Sequence, residues 1–309
     1  MLKRTIALLG FCIASSASAQ AELGQAKSAT ATCPKTGVYL QVLGSGGPEL
    51  NDKRASSAYV VWADGVAQVL VDLGNGAANN MGLAGVDISQ VPIVLLTHLH
   101  SDHSADFAAL IKALFFTDRQ TDLQVYGPTA SKFFPDTETF VHRFVGEQGV
   151  YPYLQGYVNG NASYQIRAHN LTPSPQVQTL DTGEVKITAI DAEHGPVPSL
   201  AYRVEIDGKS LTFSGDNGGH SDNLIRLAQG SDLLVAHNAI PEGAKGVVVR
   251  LHMLPSRIGE ISRDAQVKQV LLSHFMSRTV DQQAQTLAAI NAFYKGPVEF
   301  ASDMQCVEL

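Results

Sequence analysis

The chain is poor in cysteine, poor in charge, and has no long apolar run beyond its N-terminus. Cysteine occurs three times in 309 residues, at positions 12, 33 and 306. After the first residues no stretch is apolar over the roughly 20 positions that a membrane-spanning helix needs. There is no short tandem repeat and no low-complexity tract, so repeat architectures are excluded. Glycines follow several apolar runs, but none stands in a G-x-G-x-x-G context, which removes a dinucleotide-binding reading. Charged residues make up 17% of the chain, and 29 acidic residues face 22 basic ones, a net charge of −7. A general polyanion-binding surface is therefore not expected. What remains is enough apolar chain for one large domain or two small ones, with an ample core.

The first residues have the three parts of a secretory signal. Lys3 and Arg4 form a positive start, residues 5–14 are apolar but too short to span a membrane, and Ala17-Ser18-Ala19 is a small-residue cleavage site. Phe11 before Cys12 argues against a lipoprotein site. The expectation is a periplasmic or secreted protein cleaved after Ala19, with residues 1–19 lost and 20–33 a small, polar leader. Without Lys3 and Arg4 the mature chain holds 20 basic and 29 acidic residues, net −9. Cys33 and Cys306 remain. An exported protein could join them and tie its ends together, or carry two free thiols.

From residue 34 onward the pattern is that of one α/β domain. "VYLQVLGSGG" reads as a strand ending in a glycine turn, and "SSAYVVWADGVAQVLVDLGNG" as two strands around Asp64-Gly65. "VPIVLLT" is a short buried strand, "SADFAALIKALFF" has helical spacing, and "LQVYGP" is another strand. Residues 131–175 are unusually aromatic, part helix and part loop, and read as a lid or an interface insert. Strands return in "VQTLDTGEVKITAIDAEH" and in a hairpin around Asp207-Gly208, and "DLLVAHNA" and "VKQVLLSHF" are further strands. Each half thus holds a run of strands followed by strand–helix alternation. That predicts two sheets face to face with helices outside, a four-layer αββα sandwich.

The chemistry is concentrated in "LLTHLHSDH". His98, His100, Asp102 and His103 occupy six consecutive positions at the end of a buried strand. Chance would assemble that pattern in roughly one chain in 2,000 of this composition. Where a strand ends and turns into a helix, alternate side chains can converge. His98 and His100 can face one ion, Asp102 and His103 a second. Imidazole and carboxylate without thiolate suit zinc, and also manganese or iron. Three later residues of ligand type also stand where a predicted strand meets a loop: His194 in "DAEHGP", Asp216 in "TFSGDNGG" and His274 in "VLLSHF". His98, His100 and His194 would hold one metal, Asp102, His103 and His274 the other, and Asp216 would bridge them.

These residues resemble the metallo-β-lactamase superfamily, and within it the branch of tRNase Z and zinc-dependent arylsulfatase. "LGSGGP", Arg54, "VDLGNG", "LLTHLHSDH", "VYGP", "EHGPVPSLAYRVEIDGKSLTFSGD" and "LLSHFMSR" follow in that branch's order over most of the mature chain. The resemblance implies the αββα fold, two Zn²⁺ ions, Asp72 as a support beneath the histidine loop, and His252 in "RLHMLPS" as a general acid beside Asp102. It also makes a homodimer an option. The bridging aspartate speaks against β-lactamase activity.

Two departures stand out. tRNase Z has a long RNA-gripping insert where Asp216 follows His194 by only 22 positions here, and the branch's His-Glu pair is His237-Asn238. The expected function is therefore an exported dinuclear-metal hydrolase of a small phosphodiester or sulfate ester, with a hydroxide generated on the metals as nucleophile. No nucleic acid and no membrane are expected as partners. The alternatives are a lactone or other carboxylic ester hydrolase, or a non-catalytic metal- or ligand-binding module. His237 reads as structural, and His142, His169 and His220 as solvated. Arg278 either binds an anion or buttresses the His274 loop, the latter being preferred.

Overall fold

The computed structural model describes residues 33–309, so the expected signal at 1–19 and almost all of the leader lie outside the described residues. Two seven-stranded sheets form the centre. The first contains β1 (Val38–Gly44), β2 (Ala58–Ala63), β3 (Val66–Val71), β4 (Ile93–Leu95), β5 (Leu123–Pro128) and β6 (Ile166–Leu171). The second contains β7 (Gln178–Leu180), β8 (Lys186–Asp191), β9 (Leu200–Ile206), β10 (Lys209–Phe213), β11 (Leu233–His237), β12 (Gln269–Ser273) and β13 (Val298–Phe300). The last strand, β14 (Cys306–Glu308), returns to the first sheet and pairs with β1.

Both sheets change character in the same way. Strands β1–β3 and β7–β10 run antiparallel to their chain neighbours, whereas β3–β6 and β10–β13 run parallel to theirs. Antiparallel neighbours need only a hairpin. Asp64-Gly65 and Asp207-Gly208 supply it, with positive φ at both residues of each turn. Parallel neighbours need crossovers, and these carry the outer helices.

Helices α1 (Ala77–Ala84), α2 (Ser101–Ser104), α3 (Phe107–Leu114), α4 (Thr137–Val145) and α5 (Gly156–Asn159) belong to the first half. Helices α6 (Asn223–Leu227), α7 (Pro255–Asp264), α8 (Ser277–Val280) and α9 (Gln283–Asn291) belong to the second. The spacing of Phe107, Leu110, Ile111 and Leu114 turns one face of α3 onto the outer side of the first sheet, beside Met81 of α1 and Val141 of α4. Ile258 and Ile261 of α7 and Ile290 of α9 join the core of the second sheet. Strand β1 serves both faces: Leu40 and Val42 enter the core between the sheets, while Tyr39 and Leu43 pack outward, and its register with β2 shifts between Val42 and Gly44. This is the four-layer αββα sandwich.

Residues 131–175 pack largely into the outer layer. Phe140 and Phe144 meet Phe107, and Tyr157 stacks on Tyr164. Strand β6 also lies in this segment, where the aromatic pattern suggested only helix and loop. It is an edge strand that pairs only with β5 and leaves Arg167 and Asn170 exposed, so it lacks the apolar alternation that marks a strand. Cys33 and Cys306 are joined, with Cα atoms 5.6 Å apart across 273 positions, which fastens β14 beside β1. No helix among the described residues is long and apolar enough to cross a membrane.

Candidate metal centre

The site is built from loops that follow the central strands. Asp72 follows β3, the histidine cluster follows β4 and enters α2, His194 follows β8, Asp216 follows β10, His237 ends β11, and His274 follows β12. The two sheets are locked together beneath these loops. The Leu200 amide donates to the Thr97 carbonyl at 2.8 Å, and the buried Tyr202 hydroxyl donates to the Leu96 carbonyl at 3.1 Å.

Two donor groups result. The ligand atoms of His98, His100, His194 and Asp216 lie within 4.8 Å of one another, and so do those of His103, Asp216, His237 and His274. In the first group, His98 Nε2 is 2.9 Å from His100 Nδ1, and Asp216 Oδ2 is 3.6 Å from His194 Nε2 and 3.8 Å from His98 Nε2. In the second, His274 Nε2 is 3.1 Å from His103 Nε2, 3.3 Å from Asp102 Oδ2 and 3.2 Å from Asp216 Oδ1. Asp216 is common to both: its Oδ1 faces His274, and its Oδ2 lies between His98 and His194 on one side and His103, at 3.8 Å, on the other. Thus His98, His100, Asp102, His103, His194, Asp216 and His274 all meet here.

The donors fit a pair of cations. Asp72 is fully buried and accepts from the Thr97 amide at 2.7 Å, the Thr97 hydroxyl at 2.8 Å and His103 Nδ1 at 2.8 Å. The Thr97 hydroxyl is also 3.2 Å from His98 Nδ1 and can accept its proton. His194 Nδ1 donates to the Leu251 carbonyl at 2.8 Å, leaving Nε2 buried without a partner. Each of these rings is held by one nitrogen while the other faces the centre, as metal-ligating histidines are.

The electrostatics agree. Burial holds His98, His100 and His194 below the ordinary histidine range, in the neutral form that ligates metal. Burial opposes protonation of His103 as well, but Asp72, Asp102 and Asp216 overcome it and push the ring up to about 10. Burial would raise Asp216, yet the charges of His274 and His103 hold it well below the usual carboxylate range. Three carboxylates in a buried site call for compensating positive charge, which two divalent ions would supply.

His237, which sequence reasoning placed among structural residues, touches the bridging carboxylate. Its Nδ1 is 2.9 Å from Asp216 Oδ1 and its Nε2 is 3.2 Å from the Tyr59 hydroxyl. With both nitrogens engaged, it orients Asp216 from below. Its place at a strand end, like those of the ligands, was the signal available in the sequence. His252 lies at the rim, its ring 5.4 Å from that of His194, with Nδ1 3.8 Å from Asp216 Oδ2 and buried without a partner. Burial pushes it down to about 4.

Asn238 is fully buried and turns its amide to the Ile240 carbonyl at 3.4 Å; among the described residues it makes no hydrogen bond to His252. Arg278 donates to the Ala239 carbonyl at 2.6 Å, which ties α8 to the loop after β11. His142 and His220 are exposed, whereas His169 stacks on Tyr126 at 4.4 Å, half-buried rather than solvated. Of the residue 131–175 aromatics, Phe134 reaches the site, 5.3 Å from the His100 ring.

Fold and donor set together define a metal-dependent hydrolase with a dinuclear site. Residues 67–275 match the family model described as the beta-lactamase superfamily domain, and the chain belongs to that superfamily. It is similar over nearly its whole described length to the Ribonuclease Z of Mycobacterium bovis (strain BCG / Pasteur 1173P2), 27% identical over 285 residues, covering 87% of this chain and 98% of the relative. The Ribonuclease Z of Mycobacterium sp. (strain KMS) is 29% identical over 294 residues, covering 88% and 96%. Among solved structures, the metallo-beta-lactamase fold protein YhfI from Bacillus subtilis superposes with a TM-score of 0.68 at 22% identity, over 88% of this chain and 99% of that one. Human tRNase Z, short form, gives 0.67 at 18% identity, over 87% and 98%.

These relatives overturn the expected small phosphodiester or sulfate ester substrate and the expected absence of a nucleic-acid partner, because the similar proteins are ribonucleases by name. Two observations had misled: the acidic total, and the short span from His194 to Asp216, where β9 and β10 are joined by the two-residue turn. Net charge describes the whole surface, whereas the potential that meets a phosphodiester is set locally, and bound divalent ions would dominate it.

Proposed function

We propose that this protein is a dinuclear metal-dependent ribonuclease that hydrolyses phosphodiester bonds in RNA. The observation that carries the reading is the pair of buried donor groups sharing Asp216, in a chain similar along nearly its whole described length to ribonucleases Z. Zinc is the metal we assign, since the donors are nitrogen and oxygen without thiolate; manganese and iron accept the same set. When bound, such a pair supplies an activated water at neutral pH and neutralises charge on the phosphoryl oxygens.

The chain's own residues do the rest. Asp72 and the Leu251 carbonyl fix the rings of His103 and His194. His237 fixes Asp216. His252 Nδ1, buried and unpartnered at the rim, is the atom placed to give a proton to the leaving ribose oxygen. Burial disfavours the charged ring, so an arriving phosphodiester anion would be needed to raise its proton affinity. Phe134 beside His100 offers an apolar wall for a base or ribose.

We also propose that the protein is exported. The signal-like N-terminus and the Cys33–Cys306 pairing support this, because disulfides persist in oxidising compartments. The test of function is cleavage of end-labelled RNA, both a 3′-extended transfer-RNA precursor and an unstructured oligonucleotide, with and without chelator. Chelator-sensitive fragments from either RNA are expected. A protein holding two metals that leaves both RNAs intact would overturn the reading.

A further inference from the structure

His274 is held differently from the other ligands. His103 and His194 each have a hydrogen-bonded partner on the nitrogen away from the centre, but His274 Nδ1 is buried with none. Its backbone has φ of +57°, a left-handed conformation that a non-glycine residue keeps only when its surroundings impose it. The ring is placed by packing against Gly47. A Cβ there would lie 2.8 Å from His274 Cε1 and 3.0 Å from Nδ1, so no side chain fits between them. The 45–47 segment runs alongside the loop after β12: the Phe275 amide donates to the Ser45 carbonyl at 3.0 Å, and the Gly47 amide to the Phe275 carbonyl at 2.9 Å.

That segment is clamped by a carboxylate from the far end of the chain. Asp303 Oδ1 accepts from the Ser45 amide at 2.9 Å and the Ser45 hydroxyl at 2.7 Å, and Oδ2 accepts from the Ala55 amide at 2.7 Å. Arg54 donates to the Ser45 hydroxyl oxygen at 2.6 Å and to the Ala301 carbonyl at 3.0 Å. Asp303 is itself anchored. The Met304 amide donates to the Val42 carbonyl at 2.7 Å, the Val42 amide donates to the Gln305 carbonyl at 2.9 Å, and Cys306 is bonded to Cys33.

We propose that Asp303 is a positioning residue of the metal centre, fixing the His274 ring through Ser45 and Gly47. The clamp replaces the missing hydrogen bond on His274 Nδ1 and tunes the donor group that contains His103, Asp216 and His274, with Asp102 beside His274. This rests on the dinuclear centre and not on RNA as the substrate, so it stands or falls separately from that assignment.

The test is a zinc titration of the metal-free protein against a chromogenic competing chelator, resolving two binding steps. His274→Ala identifies the step that depends on that ring. Asp303→Ala is expected to weaken the same step roughly 10- to 100-fold while leaving the other within about threefold. Ser45→Ala should act on the same step in the same direction, and the double variant should show less than the sum. Val307→Ala, which loosens β14 without touching the clamp, should lower the unfolding temperature of the metal-free protein and move neither step. Equal weakening of both steps in Asp303→Ala, or a lowered unfolding temperature with both steps unmoved, would overturn the proposal. Should Asp303→Ala fail to fold, Ser45→Ala decides it by the same criterion.

Discussion

The two halves of the molecule contribute to one centre in opposite styles. The first half delivers His98, His100, Asp102 and His103 from a single six-residue stretch that leaves β4 and enters α2. The second half delivers His194, Asp216, His237, His252 and His274 from five separate segments spread over residues 194–274. Yet each donor group draws on both halves. A single loop cannot surround two ions, because its side chains approach from one side. The second sheet supplies the opposing side, and interior hydrogen bonds such as Tyr202 to Leu96 fix the distance between them. The compact motif shows where the chemistry is, and the dispersed residues complete it.

The largest expected effect tests whether the shared centre is needed at all. Removal of metal by chelation should lower RNA cleavage by about three orders of magnitude or more, since bound ions would supply both nucleophile activation and charge neutralisation. Readdition of zinc should restore it, and turnover that persists in chelator would separate the chemistry from the centre. Next comes the rim of the second half. His252→Ala should lower cleavage of RNA about 100-fold but barely change hydrolysis of a p-nitrophenyl phosphodiester, whose leaving group needs no proton. An equal loss on both substrates would deny His252 the acid role.

His237→Ala probes the same half from beneath. It removes the support of Asp216 Oδ1 and should weaken metal binding roughly 10-fold or more, visible in a chelator competition. Unchanged affinity would return His237 to a purely structural role. The smallest effect on the site is expected from Cys33→Ser. Loss of a bridge spanning 273 positions should cost about 2–5 kcal/mol of stability in denaturant unfolding. Thiol counting on denatured, unreduced protein that lacks residues 1–19 should find no free thiol.

How much of this was legible in the sequence follows the same division. The His98–His103 cluster announces itself, because four ligand types in six positions after an apolar strand have few other uses. His194, Asp216 and His274 are visible only as ligand types at strand ends, and the family resemblance groups them. His237 stood at a strand end too, but nothing local reveals that β11 and β10 bring it against Asp216. Arg119 is almost wholly buried, with its guanidinium spent on backbone carbonyls of Ile88, Ser89, Val91, Thr121 and Asp122, an arrangement no charge pattern predicts. The bond from Ser45 to Asp303 joins residues 258 apart. Such contacts are products of topology, so they emerge only once both sheets are in place.

The measurement that bears most directly on the shared centre is the number of metal ions per chain in the wild-type protein and in Asp216→Ala, by elemental analysis after dialysis against limiting chelator. Two ions per chain in the wild type, and a clear loss from both donor groups in the variant with turnover abolished, is the predicted result. Two ions retained by Asp216→Ala with full turnover would contradict the claim that this carboxylate joins the two halves into one site.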